Sequence, residues 1–222
     1  FSLQVDTIGD IGGEFRRVRL KSDKKILSFL TDLAKQRKVL IGSTPEGRLL
    51  LRAPPEVSAP VAVLREGTPP FLKIQLRTEP QKHFSHLTVL RKKARRVTPK
   101  SYTVVNEALA GVMRPMITKS QDTNSSSELP TAAEALAGRT LAGAATWMLK
   151  VNGWRDQAGD IWEPGTTVNI ADAPSGFIFG STDLIIRACR YSRSDTKTTT
   201  DLELVLPGAF TGVLPEVYPW QV

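Results

Sequence analysis

The residues from Val151 to Val168, Val-Asn-Gly-Trp-Arg-Asp-Gln-Ala-Gly-Asp-Ile-Trp-Glu-Pro-Gly-Thr-Thr-Val, hold two of the four tryptophans of this chain and three turn signals. Short pieces at Lys150-Val151 and Ile161-Trp162 are separated by Asn152-Gly153 and by Asp156-Gln157-Ala158-Gly159, residue types that accept positive φ, so the stretch reads as a β-hairpin. Pro164-Gly165 closes it before Thr167-Val168-Asn169-Ile170 begins a β-branched strand. Arg155, Asp156, Asp160 and Glu163 lack the regular alternation of oxygen ligands of a calcium loop and are expected as solvated turn charges. An architectural role is therefore expected for this stretch, carried by Trp154, Arg155, Asp156, Trp162 and Pro164, with no catalytic residue in it.

The rest of the chain is punctuated in the same way. Phe1, Leu3 and Val5 alternate with Ser2, Gln4 and Asp6, the pattern of a strand already in progress, and residues 1–20 are expected as the last strands of an upstream barrel. Ser22-Asp23 is the expected N-cap of a helix over 24–38, with Ile26, Phe29, Leu30 and Leu33 on one stripe. A hairpin over 39–52 turns at Thr44-Pro45-Glu46-Gly47 and completes an α/β helix-hairpin unit spanning 21–55. Strands are expected at 61–64, 71–76, 87–91 and 102–105, then at 168–171, 177–179, 184–191 and 198–206, with prolines at their borders. These place one β-barrel domain in 56–118 and 151–222. Segment 119–150 reads as an insertion: a polar loop over 119–129, then a helix over 132–149 started by a Thr131/Glu134 capping box. The fold class is α+β and β-rich.

Composition narrows the function classes. With 222 residues, 41% of them hydrophobic, the chain can bury a substantial core. Thirty Lys and Arg against 22 Asp and Glu give a net charge of +8, which fits an anionic partner. The densest basic run is Arg91, Lys92, Lys93, Arg95 and Arg96; no aromatic stacking residues interleave with it, and a contact to an acidic neighbouring subunit is the expected use, or the lining of a channel that DNA crosses. One cysteine, Cys189, in an apolar run excludes an internal disulfide framework and is expected to pack rather than react. His83 and His86 are the only histidines; in an extended segment their spacing puts them on opposite faces, away from a shared metal. Gly-x-Ser-x-Gly, His-Glu-x-x-His and a phosphate-cradling glycine loop are all absent, and no stable membrane insertion and no cofactor are expected.

An ordered set of motifs runs along the chain. It comprises Phe29-Leu30-Thr31-Asp32-Leu33-Ala34-Lys35-Gln36-Arg37, Gly47-Arg48-Leu49-Leu50-Leu51, Arg114-Pro115-Met116-Ile117, Val151 to Asp156 with Gly159 to Pro164, and Leu204-Val205-Leu206-Pro207-Gly208-Ala209-Phe210. In that order they resemble the Mu-like bacteriophage baseplate hub protein, the tail protein P family; Gly208 stands where the family often has an acidic residue. The resemblance implies a tail-tube-like split β-barrel with attached α/β pieces, and a homotrimeric ring that joins the tail tube protein to the spike protein of a contractile tail. It further implies a structural virion protein of the baseplate, assembled in the host bacterial cytoplasm, with DNA passing transiently through the ring and no enzymatic activity. A peptidoglycan-degrading tail enzyme, a basic nucleic-acid-binding module and a late-control-type hub of another contractile system are the competing readings.

Overall fold

The computed structural model describes residues 4–15, 18, 20, 22–44, 46–91, 100–109, 111–119 and 128–221. Helix α1 (Ile26–Gln36) forms where the apolar stripe predicts it, burying Leu33. It is capped at Lys25 without a side-chain bond, so Ser22-Asp23 does not serve as the cap. Its end is a Schellman-type reversal: the Val39 N–H bonds Ala34 O at 3.0 Å, and Lys38 takes φ 61° at the position where glycine is usual. Strands β2 (Leu40–Ser43) and β3 (Leu49–Arg52) make the expected antiparallel hairpin, Gly47 supplying the positive φ of its turn. β1 (Val5–Ile8) adds to β3 in parallel, in the order β1-β3-β2.

The main sheet draws its strands from both ends of the sequence. β4 (Val63–Arg65), β5 (Phe71–Thr78), β9 (Ala145–Asn152), β10 (Thr167–Ala173), β11 (Ile178–Arg193) and β12 (Thr198–Val205) lie in the order β4-β10-β11-β12-β9-β5, antiparallel except for β4 beside β10. The sheet curls as a half-barrel, aided by the register break between Ile186 and Ala188. Trp147, Leu149 and Val151 of β9 face Ile170, Ile178, Leu184, Ile186, Leu202 and Leu204 in one core, all at most 1% exposed. Strands β6 (His86–Leu90), β7 (Ser101–Val105) and β8 (Pro115–Lys119) form a separate sheet ordered β7-β6-β8. Helix α2 (Leu129–Ala144) covers one face of it, where Val89 meets Leu129, Ala132 and Ala133. Helix α3 (Gly208–Thr211) packs on α2, so closely that a Cβ on Gly138 would stand 2.7 Å from Ala209 O.

Several expectations change. The helix expected to reach 149 stops at Ala144, because Trp147, Leu149 and Val151 alternate with Met148 and Lys150 and only a strand can bury the first set. Pro130 stands in the first turn, so the helix starts ahead of Thr131 and no capping box forms; the Glu134 carboxylate goes to Lys38 instead. The strands expected at 177–179 and 184–191 are one, continuing through Gly180, and β8 was not expected at all. Strands 86–119 leave the main sheet, whereas β9 joins it from the segment read as an insertion.

Candidate assembly surfaces

The Trp-rich stretch is a loop rather than a hairpin: β9 spends both edges on β12 and β5, leaving one bridge, Arg155 to Ile161. Asp156 organises the tip. Its Oδ1 accepts the N–H groups of Ala158 and Asp160 at 2.9 and 3.0 Å, while Arg155 Nη1 donates to Gly159 O at 2.7 Å and Gly159 takes φ 90°. Trp162 is buried at 1% exposure; its N–H bonds Trp154 O at 3.1 Å, and the Tyr191 hydroxyl donates to its carbonyl. Trp154 is 37% exposed, edge-on to Tyr191, with Nε1 donating to Ser192 O at 3.1 Å. Pro164 O accepts from Arg52 Nη1 at 3.4 Å, tying the loop to the helix-hairpin unit. The five residues singled out in the sequence therefore gather in one structured loop.

That loop also guards a sheet edge. The Gln157 amide donates to Val63 O at 3.0 Å and accepts the Val63 N–H at 3.2 Å, so one side chain occupies the ladder positions of β4. At the other side of the sheet, Lys73, Lys150, Asp201 and Arg190 stand in register across β5, β9, β12 and β11, with Lys150 and Asp201 at 3.5 Å. Of the expected basic run, Arg91 follows β6, its N–H bonded to Lys100 O at 2.9 Å. Lys92, Lys93, Arg95 and Arg96 lie outside the described residues, as does most of the polar segment 119–129.

Cys189 is half-buried, and burial pushes its thiol up to about 11, which removes it as a nucleophile at neutral pH. Tyr191, beside it, is raised to about 12, first by desolvation and then by Cys189. His83 and His86 have different partners: His83 Nε2 meets Ala144 O at 3.1 Å, and His86 Nδ1 meets the Ser85 hydroxyl at 3.0 Å. Among the described residues no group of three or more His, Cys, Asp or Glu could hold a metal ion. One feature had no sequence expectation beyond an aromatic tail. Tyr218 is 3% exposed, stacks on Trp220 at 4.6 Å and meets His83 edge-on at 5.7 Å, while Asn106 Nδ2 donates to its hydroxyl at 3.0 Å. The signal was the Tyr-Pro-Trp order, which puts two aromatic rings within stacking reach of each other.

Comparison with known proteins identifies the architecture. Residues 131–213, covering most of α2, β9 to β12 and α3, match the family model of the Mu phage baseplate assembly protein GpP, fourth domain. The fold is similar to the 43 kDa tail protein of prophage MuSo2 from Shewanella oneidensis, at 22% identity and TM-score 0.77, over 94% of this chain and 62% of that one. It is also similar to the tail protein of Neisseria meningitidis MC58, at 19% identity and TM-score 0.76, over 97% of this chain and 64% of that one. More distantly, a prophage tail protein from Listeria monocytogenes superposes with TM-score 0.53 at 14% identity, over 90% of this chain and 59% of that one. This chain thus spans about three-fifths of the length of the tail proteins it matches. No curated sequence matches significantly. The resemblance drawn from the ordered motifs is supported at residues 131–213, which are similar to the fourth domain of the Mu phage baseplate assembly protein GpP, within a fold shared with prophage tail proteins.

Proposed function

We propose that this protein is a subunit of the central baseplate hub of a contractile tail, a homotrimeric ring that joins the tail tube to the spike and lets the genome pass during ejection. The observation that carries the reading is the coincidence of the GpP fourth-domain match, residues 131–213, with four of the six strands of the main sheet and most of its core. Sheet geometry supports it. Among the described residues the curled sheet ends in two edges, β4 and β5, and the Gln157 amide covers β4 alone, so a neighbouring subunit has an edge to close against. The reading makes the protein a structural component of the virion without catalysis of its own, assembled in the bacterial cytoplasm. No described helix is long and apolar enough to cross a membrane.

Mass spectrometry of density-purified virions, with negative-stain images of the purified protein classified without imposed symmetry, tests the proposal. Stoichiometric presence in virions and threefold rings with an open centre are expected. Absence from virions overturns the baseplate role; presence as a form other than a threefold ring overturns the hub geometry alone. Clearing of peptidoglycan in a zymogram would instead assign a tail enzyme.

A further inference from the structure

The connection between β10 and β11 is held under strain. Of the three non-glycine residues with positive φ among those described, two stand here, Asp172 at 50° and Phe177 at 56°, a conformation that L-residues with a Cβ seldom adopt. Several contacts fix it. Asp172 pairs with Arg65 at 2.9 Å, and the Glu66 carboxylate takes the Ser175 N–H at 3.0 Å together with the Ser175 hydroxyl. Trp147 Nε1 donates to Gly176 O at 2.7 Å, and Gly176 lies so near Ile74 that a Cβ there would meet Ile74 Cδ1 at 2.9 Å. The result of this restraint is outward display. Phe177 and Phe179 flank the buried Ile178 and are 55% and 51% exposed. Strain that presents two aromatic rings to solvent on a fixed frame is the physics of a preorganised anchor.

A receptor of matching chemistry exists on the same chain. An open, largely apolar groove of about 310 Å³ lies in the helix-hairpin unit, lined by Ile11, Phe15, Leu30, Leu33, Ile41 and Leu51 among others. Charge matches as well. Among the described residues, segment 14–52 holds seven Lys and Arg against four Asp and Glu, seven less four giving +3, whereas 169–183 contains two Asp and no Lys or Arg, with Glu66 fastened beside it and Arg65 paired to Asp172. Opposite charge around an apolar contact steers encounter and sets register.

We propose that Phe177 and Phe179 of one copy seat in the groove between α1 and the β2–β3 hairpin of a second copy. The two surfaces differ, so the contact is heterologous and joins copies head to tail, the arrangement from which a closed ring is built. This deepens, and rests on, the homotrimeric reading above.

Sedimentation of the full chain tests it with two variants, Phe177→Ser/Phe179→Ser at the anchor and Leu30→Arg in the groove. The anchor positions are exposed, so the first variant is expected to melt like the parent chain while self-association weakens about 30-fold or more, the fold-change of a hot spot. Mixing the two variants, each monomeric alone, is expected to give one-to-one pairs that grow no further, since each pair has one intact anchor and one intact groove. Should Leu30→Arg fail to fold, a photo-crosslinking residue at 179 is expected to capture peptides from 11–51 of another copy. Assembly of the anchor variant equal to that of the parent, crosslinks elsewhere, or a parent chain that stays monomeric would each overturn the contact. A monomeric chain found stoichiometrically in virions overturns this contact and leaves the baseplate role intact; a chain absent from virions removes the role itself.

Discussion

Trp162 is 1% exposed and Trp154, eight residues earlier, is 37% exposed, and the difference fixes what each contributes. Trp162 sits in the main core with Nε1 buried and without a partner among the described residues, so the indole works by filling volume. Trp162→Ala is expected to cost about 3–5 kcal/mol. Trp162→Phe loses no hydrogen bond and should cost less than half of that, and Trp154→Ala no more than about 1 kcal/mol, all read from urea unfolding midpoints. A second residue-scale prediction concerns pH. Desolvation holds the His83 imidazole below its ordinary value, the bond to Ala144 O acts the other way, and the Arg114 guanidinium adds to the lowering. With Lys82, Arg114 and Tyr218 around it, the folded state prefers the neutral ring. The sign follows from linkage: as pH falls through about 6.5 the unfolded chain takes the proton first, so the stability His83 contributes is full above that pH and declines below it, until the folded-state value is passed. Unfolding midpoints measured from pH 8 to pH 5 should fall less steeply for His83→Gln than for the parent chain.

At the scale of elements, α2 shows how composition becomes packing. Its Ala and Gly positions leave room for α3, and a Cβ on Gly138 would meet two backbone carbonyls, Ala209 O at 2.7 Å and Gly208 O at 2.9 Å. Intrinsic propensity favours Ala over Gly in a helix interior by about 1 kcal/mol, but neither carbonyl can withdraw without moving α3. Gly138→Ala is therefore expected to destabilise by about 1–3 kcal/mol, seen as a lower Tm, despite the better helix former. The small-residue pattern was visible in the sequence as a sign of close packing. Its partner was not, because α3 comes from a point some seventy residues further along the chain. Periodicity likewise located α1, the β2–β3 hairpin and most strands, since apolar spacing is a local property. It misjudged the end of α2, where an apolar segment satisfies both periods over a few residues and only burial against β5 and β12 decides between them.

Among the described residues, specific ties join the three sheets. Lys38 Nζ reaches Glu134 Oε2 at 2.7 Å and Thr211 O at 2.5 Å, and Arg139 Nη1 donates to Lys35 O at 2.7 Å, linking the helix-hairpin unit to α2 and α3. Lys38→Ala is expected to raise amide hydrogen exchange in the helix-hairpin unit, 26–52, while leaving β9 to β12 protected, because the core of the main sheet does not involve Lys38. Uniform exchange change across both regions would show instead that the units unfold together.

The amino-acid sequence by itself determined the β-rich class, the helix-hairpin unit, the place of the turn-rich stretch that holds Trp154, Arg155, Asp156, Trp162 and Pro164, though not its loop form, and the resemblance to Mu-like baseplate proteins. All of these rest on patterns written within short windows, in apolar period, turn chemistry and motif order. Tertiary structure alone decided that β5 joins a strand some seventy to eighty residues away and β4 one over a hundred away, that Gln157 closes an edge, that Tyr218 locks onto His83, and that Phe177 and Phe179 stand outward. These depend on which distant surfaces meet, and a side chain's burial is a property of its neighbours in space rather than in sequence.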